Sequence, residues 1–237
     1  MRPASAADLA ADPAADPAAD FAHVRAWVFD LDNTLYPPAA ALFAQMQPRI
    51  SAFVQRALGV AAEDAERLRD GYWLRYGTTL AGLMAEHGLD PWPYLRFVHD
   101  IDLSALRPDP VLAARIARLP GRRVVFTNGD GEYAGRVLAA RGLAGCFDAV
   151  YGVEHAGFLP KPEQAAFEAV FALAGLSPAE GAMFEDDPRN LAVPHALGMR
   201  TVLVGPEALD GALDGALDHA HVHHHAPDLS DFLSRLA

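Results

Sequence analysis

A short apolar run that ends in two aspartates constrains the fold of this 237-residue chain more than any other feature. Residues Ala26–Phe29 are followed by Asp30, Leu31 and Asp32. Apolar β-branched and aromatic residues without polar alternation are typical of a strand buried on both faces of a parallel sheet. Ligands bind beyond the carboxyl ends of such strands, so both carboxylates are candidate site residues. The alternative, from this segment alone, is that the aspartates only cap the following turn.

Two further predicted strands also end in polar side chains. Arg122–Phe126 leads into Thr127 and Asn128, a hydroxyl and an amide that suit a phosphate-binding loop. Ala182–Phe184 leads into three consecutive acids, Glu185–Asp187. Carboxylates so crowded repel one another unless a cation lies among them. These segments therefore predict an anion site and a cation site at one edge of the sheet.

Lys161 is the only lysine, because arginine accounts for the other eighteen of the nineteen basic residues. It stands between Pro160 and Pro162, whose rings restrict the backbone on either side. A chain that otherwise uses arginine but keeps this lysine indicates a role for a compact ammonium group. The alternative is that one lysine survived by chance.

Four short motifs, taken in order, resemble those of the haloacid dehalogenase-like superfamily of phosphotransferases: Asp30-x-Asp32, Thr127-Asn128, Lys161 and Glu185-Asp186. The resemblance covers about residues 24–204. It implies an α/β fold with a Rossmann-like, doubly wound parallel sheet as the core.

The same resemblance implies the catalytic roles. Asp30 would be the nucleophile that forms an aspartyl-phosphate, and Asp32 would protonate the leaving oxygen and then activate water. Mg²⁺ would be held by Asp30, the backbone carbonyl of Asp32 and Asp186, which are the hard oxygen ligands it prefers. Three residues would bind the phosphate: Thr127, Asn128 and Lys161.

The three consecutive acids leave the register of the last motif open. We expect Asp187 to cap the next helix, with Pro188 at the first helical position, where both residue types are favoured. Asp186 is then the metal ligand. Glu185 would lie either on the metal or against Lys161.

The spacing of the motifs predicts the domain organisation. About ninety residues separate Asp32 from Thr127, far more than the dozen or so that one crossover helix needs. We therefore expect an all-helical cap domain over residues 38–105 inserted into a core of residues 21–37 and 106–237. Residues 1–20 are expected to be a disordered acidic tail. Helical spacing of apolar residues places the cap helices at Ala41–Leu58, Ala61–Tyr76, Thr79–His87 and Tyr94–Val98.

A narrower resemblance indicates the substrate. Three segments look like the pyrimidine 5'-nucleotidase branch of the superfamily: Tyr76–Met84, Val98–Leu103 with Arg107–Pro110, and Asp187–Asn190. This resemblance implies a phosphomonoesterase that removes phosphate from nucleoside monophosphates such as UMP and CMP, with Mg²⁺ as cofactor.

Three alternatives stay open at this point. The first is a phosphatase for other small phosphate esters, such as phosphoglycolate or sugar phosphates. The second is a haloacid dehalogenase, which Asp32 disfavours because halide leaves without a proton. The third is a non-catalytic regulator on the same fold.

The remaining features exclude some partners. A net charge of -12 argues against nucleic-acid polymers, and no stretch is long and apolar enough to span a membrane. The single cysteine, Cys146, suits a reducing cytoplasm. We expect a monomer or homodimer whose partner is a small phosphate ester. The His221–His225 segment has four histidines, and its role is left open.

Overall fold

One parallel sheet forms the centre of the protein. The computed structural model describes residues 17–205 and 220–236. Within them, six strands lie in the order β3-β2-β1-β4-β5-β6, and every neighbouring pair is parallel. The strands are β1 (Ala26–Phe29), β2 (Arg122–Phe126), β3 (Ala149–Tyr151), β4 (Gly181–Glu185), β5 (Arg200–Val204) and β6 (His224–Ala226). The predicted α/β class and doubly wound sheet are confirmed.

Helices cover both faces of the sheet and form the inserted segment. They are α1 (Pro17–Asp20), α2 (Leu42–Leu58), α3 (Ala62–Tyr76), α4 (Thr79–His87), α5 (Pro91–Val98), α6 (Pro110–Arg118), α7 (Gly131–Ala140), α8 (Gln164–Ala174), α9 (Ala192–Ala196) and α10 (Leu229–Ser234). None of the helices within the described ranges is both long and apolar enough to cross a membrane.

The burial of β1 explains its unbroken apolar sequence. All four of its residues are buried. Trp27 and Phe29 belong to the apolar cluster on one face of the sheet, and Val28 belongs to the cluster on the other face. Because successive side chains of a strand point to opposite faces, a central strand with two covered faces has no polar position.

Five α-helices, α2 to α6, lie between β1 and β2 in the chain, and four of them, α2 to α5, lie inside the predicted cap range of residues 38–105, whose limits stay a prediction. Three of them agree with the predicted bounds to within one residue. The fourth begins at Pro91 rather than Tyr94, because Asp90 accepts a hydrogen bond from Trp92 N and caps the helix. Proline has no backbone N–H, and an N–H group in the first turn has no acceptor within the helix, so proline is tolerated there.

The N-terminal segment differs from its prediction at its end. Of the expected acidic tail of residues 1–20, residues 1–16 lie outside the described residues. Residues 17–20 form α1, and the Asp20 carboxylate contacts Arg200 and His224 of the core. The tail prediction is therefore wrong for these four residues, because Asp20 has basic partners in the sheet.

Candidate active site

The candidate residues meet because their strands are neighbours. Asp30 follows β1, Thr127 follows β2, and Glu185 ends β4. In the sheet, β1 lies between β2 and β4. The chain reverses its direction of winding at this point, which is where open α/β sheets form a crevice.

Lys161 lies at the centre of this group. Its Nζ donates hydrogen bonds to Asp30 Oδ1 at 2.6 Å, Glu185 Oε1 at 2.6 Å and the Phe126 carbonyl oxygen at 3.1 Å. The residue is 1% exposed. An ammonium has three N–H groups, so each of them has an acceptor in the protein.

The charged groups of the site shift one another's pKa values. Burial alone would lower the pKa of Lys161, but the negative charges of Asp30 and Glu185 outweigh burial and raise it. Burial and the Glu185 charge raise the pKa of Asp30 to about 8. Burial, Glu185 and Asp30 together raise the pKa of Asp186 to about 10. The site thus has more negative charge than Lys161 can neutralise.

The structure distinguishes Glu185 from Asp186. Glu185 Oε1 also accepts a hydrogen bond from Asn190 Nδ2 at 2.7 Å, and its Oε2 accepts one from Asp187 N at 3.0 Å. Glu185 is therefore the partner of Lys161, one of the two alternatives left open above. Asp186 instead accepts a hydrogen bond on Oδ2 from Asn33 Nδ2 at 3.1 Å.

A cation would fit among these acids. One carboxylate oxygen each of Asp30, Glu185 and Asp186 lies within 4.8 Å of the other two. Mg²⁺ prefers oxygen ligands, and a divalent charge would offset the excess negative charge. Asn33 orients Asp186 through the hydrogen bond to its Oδ2, and it takes a left-handed backbone with φ of 59° directly after Asp32, a conformation that asparagine tolerates better than most residues.

The segment after β4 follows its prediction. Asp187 accepts a hydrogen bond from Arg189 N and caps a 3₁₀ turn over Pro188–Leu191, with Pro188 at its first position. Asp187 also binds the Arg189 guanidinium through both carboxylate oxygens. The expected cap role of Asp187 is confirmed.

The two predicted phosphate ligands after β2 have structural partners. Asn128 Oδ1 accepts from Lys161 N at 2.8 Å, and Asn128 Nδ2 donates to the Lys161 carbonyl oxygen at 3.2 Å. Thr127 is fully buried, and its hydroxyl accepts a hydrogen bond from Gly129 N at 2.9 Å. Asn128 lines the cavity described below, whereas Thr127 is not among its lining residues. Their binding of phosphate stays a prediction.

Two tyrosines that the sequence analysis missed contact Asp32. Asp32 Oδ1 accepts hydrogen bonds from Tyr36 Oη at 2.7 Å and from Tyr133 Oη at 2.8 Å. Tyr36 follows the first motif closely, whereas Tyr133 lies on α7, after the second motif. Their proximity to the motifs was the only available signal, since tyrosine at such positions is equally suited to the core.

A cavity of about 330 Å³ opens above these residues, between the strand ends and the inserted helices. Its polar lining includes Asp30, Asp32, Asn128, Lys161 and Asp186. Its opposite lining is mostly apolar and comes chiefly from α2, α4 and α5: Phe43, Met46, Ile50, Leu80, Tyr94, Leu95 and Val98, with the polar residues Thr78, Thr79 and His99 beside them. A polar floor thus faces a mostly apolar roof.

A cation–π contact closes one side of this cavity. The Arg189 guanidinium carbon lies 4.0 Å from the centroid of the Trp73 ring, and both residues line the cavity. Trp73 belongs to α3 and Arg189 to the turn after β4, so the contact joins the inserted helices to the core. Cation–π pairs of this kind contribute about 0.5–1 kcal/mol at exposed sites.

The solved structures most informative for the fold include both dehalogenases and phosphatases. The L-2-haloacid dehalogenase of Xanthobacter autotrophicus with covalently bound chloropropionic acid is 21% identical, with a TM-score of 0.55 over 89% of this chain and 97% of that chain. A HAD phosphatase of Thermococcus onnurineus is 18% identical, with a TM-score of 0.58 over 90% and 98%. A Bacillus subtilis protein described as a HAD-hydrolase bound to magnesium is 16% identical, with a TM-score of 0.53 over 90% and 98%. These similarities show the fold alone.

Sequence comparison identifies the family. Phosphate metabolism protein 8 of Saccharomyces cerevisiae is 29% identical over 195 residues, which are 76% of this chain. The chain spans 61% of the length of that relative. The family model for haloacid dehalogenase-like hydrolases matches residues 24–198. The chain therefore belongs to the haloacid dehalogenase-like hydrolase family.

Proposed function

We propose that the protein is a Mg²⁺-dependent phosphomonoesterase that dephosphorylates nucleoside monophosphates such as UMP and CMP. The observation that carries the proposal is the placement of two carboxylates, Asp30 and Asp32, on the floor of one cavity, with the Lys161 ammonium 2.6 Å from Asp30 Oδ1. Hydrolysis of a phosphate ester requires a nucleophile, a proton donor and positive charge in one site.

The reaction proceeds in two steps, transfer of the phosphoryl group to Asp30 and its hydrolysis from Asp30. In the first, an Asp30 carboxylate oxygen forms a bond to phosphorus while the bond to the leaving oxygen breaks, and Asp32 gives that oxygen its proton. In the second, Asp32 takes a proton from water as the water oxygen bonds to phosphorus and the bond to Asp30 breaks. Asp30 and Asp32 both return to their starting states.

Three groups would hold Mg²⁺: the Asp30 carboxylate, the Asp186 carboxylate and the Asp32 backbone carbonyl. When bound, the ion neutralises charge on the transferring phosphoryl group. Lys161 orients Asp30 and adds a second positive charge, and Asn128 holds the backbone of Lys161. The magnesium-bound Bacillus subtilis relative of the fold supports this cofactor.

The roof of the cavity supports an uncharged leaving group that carries a flat ring. Within residues 17–205 and 220–236, the Arg and Lys side chains that line the cavity are Lys161 and Arg189, and Arg189 is paired with Asp187. A second anionic group, such as the carboxylate of phosphoglycolate, would lack an unpaired cation, and a sugar phosphate without a base would leave the apolar side chains of the roof without an apolar partner. A nucleobase matches the apolar roof and the exposed Trp73 ring, on which it would stack.

A dehalogenase is the less suitable alternative. Several structures with this fold are dehalogenases, but a halide leaves without a proton. Asp32 has no role in such a reaction, whereas the protein holds its carboxylate with two hydrogen bonds.

A substrate panel tests the proposal. Phosphate release is measured from UMP, CMP, a sugar phosphate and phosphoglycolate, each with Mg²⁺ and with EDTA. We expect the highest kcat/KM on the nucleotides, activity only with Mg²⁺, and no activity in an Asp30→Asn variant, because an amide is a poor nucleophile and a weak metal ligand. Preference for phosphoglycolate or the sugar phosphate would contradict the nucleotide assignment. Full activity in EDTA would contradict the dependence on Mg²⁺.

A further inference from the structure

The two oxygens of the Asp32 carboxylate differ in their surroundings. Oδ1 accepts hydrogen bonds from both phenols, Tyr36 at 2.7 Å and Tyr133 at 2.8 Å. A carboxylate oxygen has two lone-pair sites, so these two donors saturate Oδ1. Asp32 also lines the cavity, which leaves Oδ2 as the oxygen that can face a substrate.

The Tyr133 phenol is held in place by its own neighbours. Its ring is fully buried and stacks on the His99 ring, with centroids 4.3 Å apart and planes 14° apart. His99 Nδ1 lies 2.6 Å from Asp130 Oδ2, and Asp130 Oδ1 accepts a hydrogen bond from Tyr133 N at 2.8 Å. Asp130 is thereby the N-cap of α7, which carries Tyr133. Ring, backbone and hydroxyl are each fixed.

Both phenols act as hydrogen-bond donors. Burial and the charge of Asp32 raise the pKa of Tyr36 and of Tyr133 above the ordinary range for tyrosine. Each hydroxyl donates to Asp32 Oδ1, so both phenols serve as hydrogen-bond donors to this carboxylate.

We propose that Tyr133, together with Tyr36, is a positioning residue that directs the acidic proton of Asp32 onto Oδ2, toward the leaving group. The inference rests on the proposed phosphomonoesterase function. With Oδ1 saturated by two donors, the proton of the neutral carboxylic acid lies on Oδ2. That proton passes to the leaving oxygen as the phosphorus–oxygen bond breaks, and Asp32 becomes a carboxylate that still accepts both phenol hydrogen bonds.

The test uses the leaving group to separate positioning from general damage. An alkoxide leaving group, as in UMP, needs a proton in the transition state, whereas the nitrophenolate of 4-nitrophenyl phosphate leaves without much help. Since a positioned acid contributes about 10²- to 10⁴-fold, Tyr133→Phe should lower kcat/KM about tenfold or more on UMP. On 4-nitrophenyl phosphate the loss should stay below about threefold.

Three further variants complete the design. Tyr36→Phe removes the other phenol and should show the same dependence on leaving group. Combining Tyr133→Phe with Asp32→Asn should cost no more on UMP than Asp32→Asn alone, because the two changes act through one carboxylate. Tyr151→Phe is the matched control: Tyr151 is a buried tyrosine that is not among the residues lining the cavity, and its kcat/KM should be unchanged on both esters.

The outcomes are separable. Equal losses on both esters, or an added loss in the Asp32→Asn background, would show that Tyr133 only stabilises the fold and would overturn the inference while leaving the proposed function intact. A wild-type protein that releases no phosphate from either ester with Mg²⁺ would overturn the proposed function, and the inference with it.

Discussion

Lys161 shows at the scale of one residue why a single amino-acid type suits its position. Three acceptors converge on its Nζ: Asp30 Oδ1, Glu185 Oε1 and the Phe126 carbonyl oxygen. A tetrahedral ammonium can donate to three groups around one point, whereas a guanidinium is planar and larger and directs its N–H groups outward in a fork. The absence of every other lysine is consistent with this requirement.

The Lys161→Arg variant tests this geometry. We expect kcat/KM to fall at least about tenfold, or about 1.4 kcal/mol of transition-state stabilisation, because Asp30 loses its orientation. The larger group in a fully buried site should also lower the free energy of unfolding by about 1–3 kcal/mol. Steady-state kinetics and urea unfolding measure the two effects, and wild-type kcat/KM in this variant would contradict the assigned role.

The limits of sequence reasoning at this scale are clear from Tyr133 and Glu185. Asp30, Asp186 and Lys161 were predictable, because acids at strand ends and a solitary lysine are unusual in composition. The contact between Tyr133 and Asp32 was not, since it joins residues 101 positions apart and a tyrosine carries no chemical signature of its own. The pairing of Glu185 with Lys161 likewise required coordinates to choose between two open alternatives.

At the scale of the elements, α3 and α4 show how the inserted helices pack. Gly82 of α4 lies against Tyr72 of α3, and a Cβ atom added to Gly82 would lie 2.4 Å from Tyr72 Cγ. Gly71 of α3 has no atom within 4 Å of such a Cβ. The chain thus offers two helical glycines with opposite surroundings.

These glycines give a paired stability prediction. Gly82→Ala should destabilise the protein by about 1–3 kcal/mol, because the methyl group forces the two helices apart. Gly71→Ala should stabilise it by about 0.5–1 kcal/mol, because alanine loses less conformational freedom in a helix. Chemical unfolding of both variants is the measurement, and the same sign for both would show that α3 and α4 do not pack as described.

The last strand was missed by the sequence analysis for a physical reason. The β6 sequence is His-His-Ala, which contains no β-branched residue and no Phe, Tyr or Trp. Within the described residues, β6 is an edge strand that pairs with β5. Its context stabilises it: His224 contacts Asp20, and the preceding His223 contacts Thr201. By contrast, β1 was predictable because a central strand must be apolar on both faces.

His223 gives a prediction about pH. Burial, then the nearby Arg200 charge, lower its pKa from 6.5 to about 4, and its Nδ1 accepts a hydrogen bond from Thr201 N at 3.2 Å. The folded state thus disfavours the protonated ring. The neutral His223 ring therefore contributes its full stabilisation of the folded state above pH 6.5, the pKa of an unfolded histidine. This contribution is lost as the pH falls toward about 4.

A His223→Gln variant isolates this contribution, because all other titrating groups are shared with the wild type. The difference in melting temperature between wild type and variant should shift in favour of the variant as the pH is lowered from about 7 to about 4.5. Thermal unfolding across this range measures it. A difference that stays constant with pH would show that His223 titrates normally in the folded protein.

At the scale of the whole molecule, the order of the strands places the reaction between two parts of the chain. The carboxyl ends of β1, β2 and β4 present the polar floor, and the helices inserted between β1 and β2 supply the apolar roof. The roughly ninety residues between the first two motifs made the insertion predictable from the sequence. The cavity between the two parts was not, because the Arg189–Trp73 contact that closes one side depends on how they meet.

The central claim is that Asp30 accepts the phosphoryl group, and trapping the covalent intermediate tests it most directly. In an Asp32→Asn variant, 4-nitrophenyl phosphate can still transfer its phosphoryl group, but the base that activates water is missing, so the intermediate should accumulate. After an acid quench, peptide mass spectrometry should find a hydroxylamine-sensitive phosphoryl group on Asp30, formed only with Mg²⁺ and absent when Asp30→Asn is added. Phosphate release without any covalent phosphoryl group, or a phosphoryl group on another residue, would contradict the account.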